Sequence, residues 1–367
     1  MSRTGGENVK KWIQQFSIKD ILQISIGCIC LIIYAAIALL EGSSQSRLYD
    51  QQMAERWSDK ADAAQISCFF AADAIEGIEY FMGLGANIDK KLVEASISSD
   101  NEKASLRLDA VSIPGKITVS YENKSVELEA LGLWGDFFQF HPLILLDGSF
   151  FGPDSMMQDG IVIDEEAAWQ LFGSNDVAGM QVMIGQVPHF ISGVVRRDKG
   201  HIAEAAGLDK SVCYLSLESL KSYGNITGGY CYETVMPNPV KGFALTTLRE
   251  VIEADKKEVQ IVENTGRFGI IELFRRLTEF GTRSMSRQRI VYPYWENIAR
   301  GYEDIFTLTL VLKMFLLIYP IIYLIRLVIR LWKKRTWRVE TGYRYFKDKV
   351  YDLQVKRYKK KREEKGK

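Results

Sequence analysis

Little in this chain points to bond-making chemistry. It has three histidines, five cysteines and eight prolines in 367 residues. His141, His189 and His201 are scattered, and neither H-E-x-x-H nor C-x-x-C occurs, which removes the common zinc patterns. There is no G-x-x-x-x-G-K-[ST] loop, so these residues do not bind ATP in the P-loop manner, and no G-x-S-x-G nucleophile elbow. Gly83-Leu84-Gly85 lacks the strand–turn–helix setting of a dinucleotide loop. Asp164-Glu165-Glu166 could serve as paired carboxylates, but acids at the start of a helix are accounted for by the helix dipole. With no acid, base and nucleophile set, the chain reads as neither an enzyme nor a cofactor protein.

Positive charge is scarce in the middle. Residues 41–304 hold 25 basic and 39 acidic side chains, a net of −14, which argues against nucleic acid as a ligand. The compensating charge lies at the ends. Residues 333–367 carry 15 basic and 5 acidic side chains. Beside a membrane span such a tail is suited to anionic lipid.

The chain does have two long apolar runs. Ile21 to Leu40 is uncharged, and Ile305 to Ile325 is interrupted only by Lys313. Each is long enough to cross a hydrocarbon core of roughly 30 Å as a helix. The first run is too long for a signal peptide, and Ala38-Leu39-Leu40-Glu41-Gly42 is a poor cleavage site, so an uncleaved anchor is expected. Basic flanks stay inside, so both termini are expected in the cytoplasm and the middle outside. Lys313 either snorkels outward along its stem or faces a protein partner, and Pro320 is expected to kink its helix. Tyr292, Tyr294 and Trp295, just before the second run, are expected to form an interfacial belt.

Cys28 and Cys30 are fillers in the first run. Cys68 reads as a buried strand residue. Cys213 ends one strand-like run and Cys231 begins another, which makes them a candidate disulfide outside the cytoplasm.

Between the spans the periodicities describe two β-α-β units. The first is a strand at 65–70, a helix over 72–97 and a strand at 106–110; the second is a strand at 233–236, a helix at 243–253 and a strand at 259–262. The intervening stretch is rich in strand signals, with Asp164 as N-cap and Gly173 as stop of a short helix at 165–172. The expected fold is thus an α+β two-lobe extracytoplasmic domain between two transmembrane α-helices, with a split β-α-β lobe and an inserted mainly-β lobe. The divisions are a cytoplasmic N-terminus (1–19), helix one (20–41), lobe one (42–112), the inserted lobe (113–206) and the return of lobe one (207–266). A stalk helix and interfacial segment (267–304), helix two (305–328) and a basic cytoplasmic tail (329–367) follow. In the stalk, 268–280 is an amphipathic helix ended by Gly281.

One passage carries a family likeness. Gly132, Gly135, Asp136, Phe138 and Gly148 lie in a run from Ala130 to Phe151. That run resembles the "Asp-Phe-Phe … Leu-x-x-Gly-x-x-Phe" passage of MacB-like periplasmic core domains. Asp164, Glu165, Phe172 and Gly173 are similar to that family's strand followed by an acidic helix ending Leu-Phe-Gly, and Gly179 and Gly193 to its closing hairpin. The resemblance implies a place in an ABC transporter that couples ATP hydrolysis to extracytoplasmic export. It implies an ABC ATPase and FtsX-like membrane subunits in trans, membrane lipid around the spans, and a possible homo-oligomer. Lys313 and Pro320 would then be intramembrane coupling residues. The same layout is compatible with a Wzz-like polysaccharide chain-length scaffold, or with a ligand-sensing or anchoring ectodomain.

Overall fold

The computed structural model describes residues 18–97, 105–152, 158–255, 257–283, 290–333, 347 and 349–351. Most of the N-terminal segment and of the basic tail, and so their readings, lie outside the described residues. The elements in order are α1 (Ile18–Gln45), α2 (Met53–Trp57), β1 (Ala63–Phe70), α3 (Ile78–Glu94), β2 (Leu108–Tyr121), β3 (Lys124–Gly135), α4 (Phe137–Phe140), β4 (Leu145–Gly148), β5 (Gly160–Asp164) and α5 (Glu165–Phe172). Then come β6 (Gln181–Ile184), β7 (Val187–Val195), β8 (Val212–Ser216), α6 (Leu217–Tyr223), β9 (Asn225–Ile226), β10 (Cys231–Pro237), α7 (Phe243–Val251), β11 (Val259–Glu263), α8 (Ile270–Arg283) and α9 (Tyr294–Lys333).

The chain forms two compact units. One is residues 40–310; the other combines the two ends, 1–39 and 311–367. In the second unit α1 and the apolar stretch of α9 lie against each other. The Tyr319 hydroxyl donates to the Gln23 carbonyl at 3.3 Å, Gly27 is buried beside the Tyr319 ring, and Arg330 meets Asp20 at 2.9 Å. Both helices are long and apolar enough to cross a membrane, and most of their apolar side chains are exposed, as lipid-facing residues would be. Lys313 and Pro320 lie on this part of α9, Lys313 half-buried and Pro320 inside the helix.

In the unit 40–310 the sheet runs β11-β1-β10-β2-β3-β8-β5-β7-β4. Its first four strands are all antiparallel neighbours. β10 lies between β1 and β2, and β1 lies between β10 and β11, so the two β-α-β units interlock as split pairs. The remaining strands close on themselves, because β6 pairs both β7 and the far end of β2, at Val119 and Ser120. The ring β2-β3-β8-β5-β7-β6 leaves no open edge among its members. The mixed two-lobe fold expected from the periodicities is therefore present. The long strands β2 and β3 run through both parts, so the lobes share one sheet.

β1 is buried over its whole length, which a one-sided sheet would not allow. Ala64, Ile66, Cys68 and Phe70 point into a core with α3 and α7 residues, continuous with the ring interior of Ile117, Val119, Ile161, Ile163, Cys213 and Leu215. Ala63 and Phe69 point the other way, toward Phe137, Phe140 and Trp295. Period-two alternation thus separates two cores of different character.

Two sequence expectations fail here. Cys213 lies inside the ring and Cys231 on the opposite face of the sheet, on strands with β2 and β3 between them, and both thiols are free and buried. Three strand spacings of about 4.8 Å far exceed what a disulfide can span. The helix expected to stop at Gly281 runs on to Arg283, since one helical glycine costs only about 1 kcal/mol.

Candidate functional site

The second core holds a chain of buried polar groups. It begins in the strap that follows α1, where Tyr49–Gln51 forms a 3₁₀ turn. Gln65 on β1 fixes this strap, its amide donating to the Asp50 carbonyl at 2.6 Å and its oxygen accepting from the Met53 amide at 2.8 Å. Arg56 ties the strap to α4 by donating to the carbonyls of Gln139 (2.8 Å) and Phe140 (3.1 Å). His141, directly after α4, is thereby delivered to the sheet.

His141 is completely buried, packed against the tilted rings of Phe137 and Trp295. Its Nδ1 faces Asp50 Oδ1 at 2.8 Å and its Nε2 faces Glu233 Oε2 at 2.5 Å. Burial opposes protonation, but Glu233 and Asp50 outweigh it and raise the imidazole pKa to about 9. The ring is therefore an imidazolium at neutral pH, donating from both nitrogens. Neither nitrogen offers a lone pair to a metal, and among the described residues no group of His, Cys, Asp and Glu is arranged to hold one.

The chain continues along the sheet. Ser67 Oγ donates to Glu233 Oε1 at 2.7 Å, and Asn264 Nδ2 donates to Ser67 Oγ at 2.8 Å. Next is Arg267, also buried. Its Nη1 reaches Asn264 Oδ1 (3.3 Å), Gln51 Oε1 (3.1 Å) and Glu296 Oε2 (2.6 Å). Its Nη2 donates to Glu296 Oε1 at 2.8 Å and its Nε to Glu303 Oε1 at 2.6 Å. Glu296 and Glu303 are seven residues apart, two turns along one face of α9. Arg300 donates to Glu296 at 2.6 Å while lying 3.7 Å over the Tyr292 ring, and Arg276 of α8 approaches Glu303 at 3.6 Å.

The charges balance. His141, Arg267, Arg276 and Arg300 face Asp50, Glu233, Glu296 and Glu303, four against four. Burial works against ionising Glu296, yet Arg267 and Arg300 hold its pKa below the usual carboxylate range. Burial likewise opposes the charge on Arg267, and Glu296 and Glu303 more than restore it. Such a set is costly to bury but stringent in geometry, since removing one member strands another charge. It joins the strap after α1, strands β1 and β10, the segment after β11, and the first turns of α9.

The residues singled out in the sequence fall elsewhere or take other parts. Asp164 caps α5, accepting from Ala167 N at 2.7 Å, and its second oxygen accepts from Val212 N at 3.0 Å, which binds β5 to β8. Glu165 pairs with Lys199 at 3.0 Å. Asp136 accepts from Gln139, Phe138 stacks on Phe150, and Phe172 packs on Tyr121. Gly135, Gly148, Gly173 and Gly179 have positive φ, while Gly132 and Gly193 sit in strands. A side chain at Gly148 would collide with the Ser192 carbonyl.

Tyr292, Tyr294 and Trp295 do not form an interfacial belt. Trp295 is 1% exposed against Phe137 and His141, the Tyr294 hydroxyl meets that of Tyr214 at 3.2 Å, and Tyr292 packs on Phe69. The helix begins inside the ectodomain core, some ten residues before its apolar stretch, so its first aromatics are core residues. The buried network was missed because its members are far apart in sequence. One signal was available: Glu233 interrupts the otherwise uncharged, wholly buried strand Cys231–Met236.

The sequence model of the MacB-like periplasmic core domain matches residues 25–247. The chain belongs to that family. It is an ectodomain related to those of ABC transporter permeases, flanked by two apolar helices, and its middle is extracytoplasmic. The macrolide export ATP-binding/permease protein MacB of Chromobacterium violaceum is 31% identical over 85 residues, 22% of this chain. The matched part covers 13% of that protein's length. Among solved structures, the extracellular domain of the noncanonic ABC-type transporter YknZ from Gram-positive bacteria aligns at 17% identity with a TM-score of 0.36, covering 54% of this chain and 99% of that domain. The periplasmic region of MacB from Actinobacillus actinomycetemcomitans aligns at 17% identity with a TM-score of 0.37, covering 57% and 92%. Asp50, Ser67, His141 and Glu233 lie within the family match, whereas Asn264, Arg267, Glu296 and Glu303 lie after it.

Proposed function

We propose that this MacB-like chain is a two-pass subunit of an export system. In it, an ABC ATPase and FtsX-like membrane subunits act in trans, and the ectodomain passes membrane-helix motion to an extracytoplasmic substrate. The chain itself does not hydrolyse ATP, and both termini face the cytoplasm. The observation that supports this most is the Arg267 clamp. It fastens Glu296 and Glu303, on the first turns of the helix that continues as the second apolar stretch, to strap and sheet residues of the ectodomain. A displacement of α9 along its axis would separate buried opposite charges, so strap, sheet and helix are held to move together. Lys313 and Pro320, on the apolar stretch, are assigned to contact with the membrane subunits.

The test is purification of the full chain from its native membranes after brief cross-linking, with mass spectrometry of what accompanies it. An ABC ATPase and an FtsX-like subunit in fixed ratio are expected. Recovery of the chain alone as a large homo-oligomer, or with glycan-polymerising enzymes, would replace this reading with the scaffold one. Lys313→Leu is expected to weaken recovery of the membrane subunit. Unchanged recovery would remove the role given to Lys313.

A further inference from the structure

Beside the network, and sharing Asp50 with it, is a cavity of about 350 Å³. It lies between the strap after α1, strands β7 and β8, and the start of α9. That volume falls at the lower end of the range for small-molecule sites, roughly 300–1,000 Å³. Its walls are apolar: Leu143, Ile144, Val195, Leu208, Val212 and Ile298. Pro142, three tyrosines (Tyr49, Tyr214 and Tyr294) and seven charged side chains complete the lining, and most of the charged ones are already engaged. Asp50 is held by His141, Asp164 by the amides of Ala167 and Val212, and Lys199 by Glu165. Arg197 donates to the Leu208 carbonyl at 3.0 and 2.6 Å, and Asp198 accepts from the Gly200 amide at 3.1 Å.

Arg47 and Arg196 remain. Both line the cavity, both are exposed, and among the described residues neither guanidinium makes a hydrogen bond or ion pair. In an ectodomain with a net charge of −14 over residues 41–304, two uncommitted arginines beside an apolar hollow are out of keeping with the surface. Guanidinium forks suit carboxylate or phosphate, and the walls suit a hydrocarbon body.

We propose that this cavity binds a small amphiphile with an anionic head group, the head on Arg47 and Arg196 and the apolar body against Leu143, Val195, Val212 and Ile298. The cavity is too small for a folded protein. Its occupant would also touch Asp50 and Tyr294, whose partners are His141 and Tyr214. Binding here does not depend on the partner subunits proposed above.

The experiment uses the full chain in phosphatidylcholine nanodiscs with a twelve-carbon carboxylate bearing a terminal diazirine. A matched twelve-carbon trimethylammonium probe serves as control. After irradiation, labelled peptides are mapped by mass spectrometry. The carboxylate probe is expected to mark residues 142–144, 195–199, 208–214 and 294–298, to be displaced by unlabelled laurate, and to exceed the cationic probe there. Arg47→Gln with Arg196→Gln should lower that labelling about tenfold or more, as loss of two charge-assisted contacts implies. Labelling of the apolar stretch of α9 gives the internal reference. Because both arginines are exposed, the melting temperature of the double variant should not move. Ile298→Trp, which fills the cavity, should also block labelling while Arg47 and Arg196 stay in place. Equal labelling by the cationic probe, full labelling of the double variant, or labelling confined to the apolar helices would each overturn the proposal. The readout needs no ATPase, so its failure is separate from a failure of the purification experiment.

Discussion

The two faces of the one sheet are built on opposite principles. On the face with α3 and α7, continuous with the ring interior, the buried side chains are almost wholly apolar, and Cys68 and Cys213 act as small hydrophobes whose thiol pKa values burial raises. On the face with α2, α4 and the start of α9, a balanced set of charges crosses an otherwise aromatic core. An apolar core tolerates small slips, because dispersion contacts have no direction. A charge network does not, because each carboxylate needs its own donor. The first face supplies stability, and the second fixes where α9 begins relative to the sheet.

The sharpest way to break this contrast is at Arg267. Arg267→Met leaves Glu296 and Glu303 buried without their main cation and should cost about 3–5 kcal/mol of ectodomain stability, read as a fall in melting temperature. Restoring balance with Glu296→Gln and Glu303→Gln in the same chain should recover much of that loss. If the single variant melts like the parent, the network does not hold the helix. On the apolar face, Leu215→Ala should cost about 2–5 kcal/mol by cavity formation, and no second polar substitution should rescue it.

A pH series separates the faces further. The His141 pKa rises from its ordinary 6.5 to about 9 on folding, so its stabilising contribution is complete below pH 6.5 and is lost as pH rises through about 9. The span corresponds to about 3 kcal/mol. Urea midpoints measured from pH 6 to 10 should fall in that window, and His141→Gln should flatten the slope. A slope unchanged in the variant would assign it to other groups. Smaller still is the effect at the exposed Lys91–Glu250 pair at 2.9 Å, where solvent screens the attraction and Glu250→Gln should leave the urea midpoint unmoved. Finally, all five cysteines of the unreduced, denatured chain should react with maleimide, as free thiols on both faces require.

How far the fold could be read in advance follows the range of each signal. The strand-rich character of the stretch between the two β-α-β units and the helix at 165–172 were legible because alternation, a capping Asp164 and a stopping Gly173 act within a few residues. Ring closure by β6 on β2 was not legible, since it pairs residues more than sixty positions apart. The belt assigned to Tyr292, Tyr294 and Trp295 went wrong for the same reason. Aromatics before an apolar run look alike whether they meet lipid or a folded core, and the surrounding elements decided for the core.

Sequence alone determined the two membrane-length helices, the acidic mixed α/β domain between them and its family, because hydrophobic period, charge balance and local motifs are properties of neighbours along the chain. Only the tertiary structure decided that Asp50, His141, Glu233, Arg267, Glu296 and Glu303 form one network, that Cys213 and Cys231 are apart, and that Arg47 and Arg196 share a cavity. A buried charge is tolerable only beside its partner, and which partner folding brings there depends on how distant strands pair and which face each side chain takes.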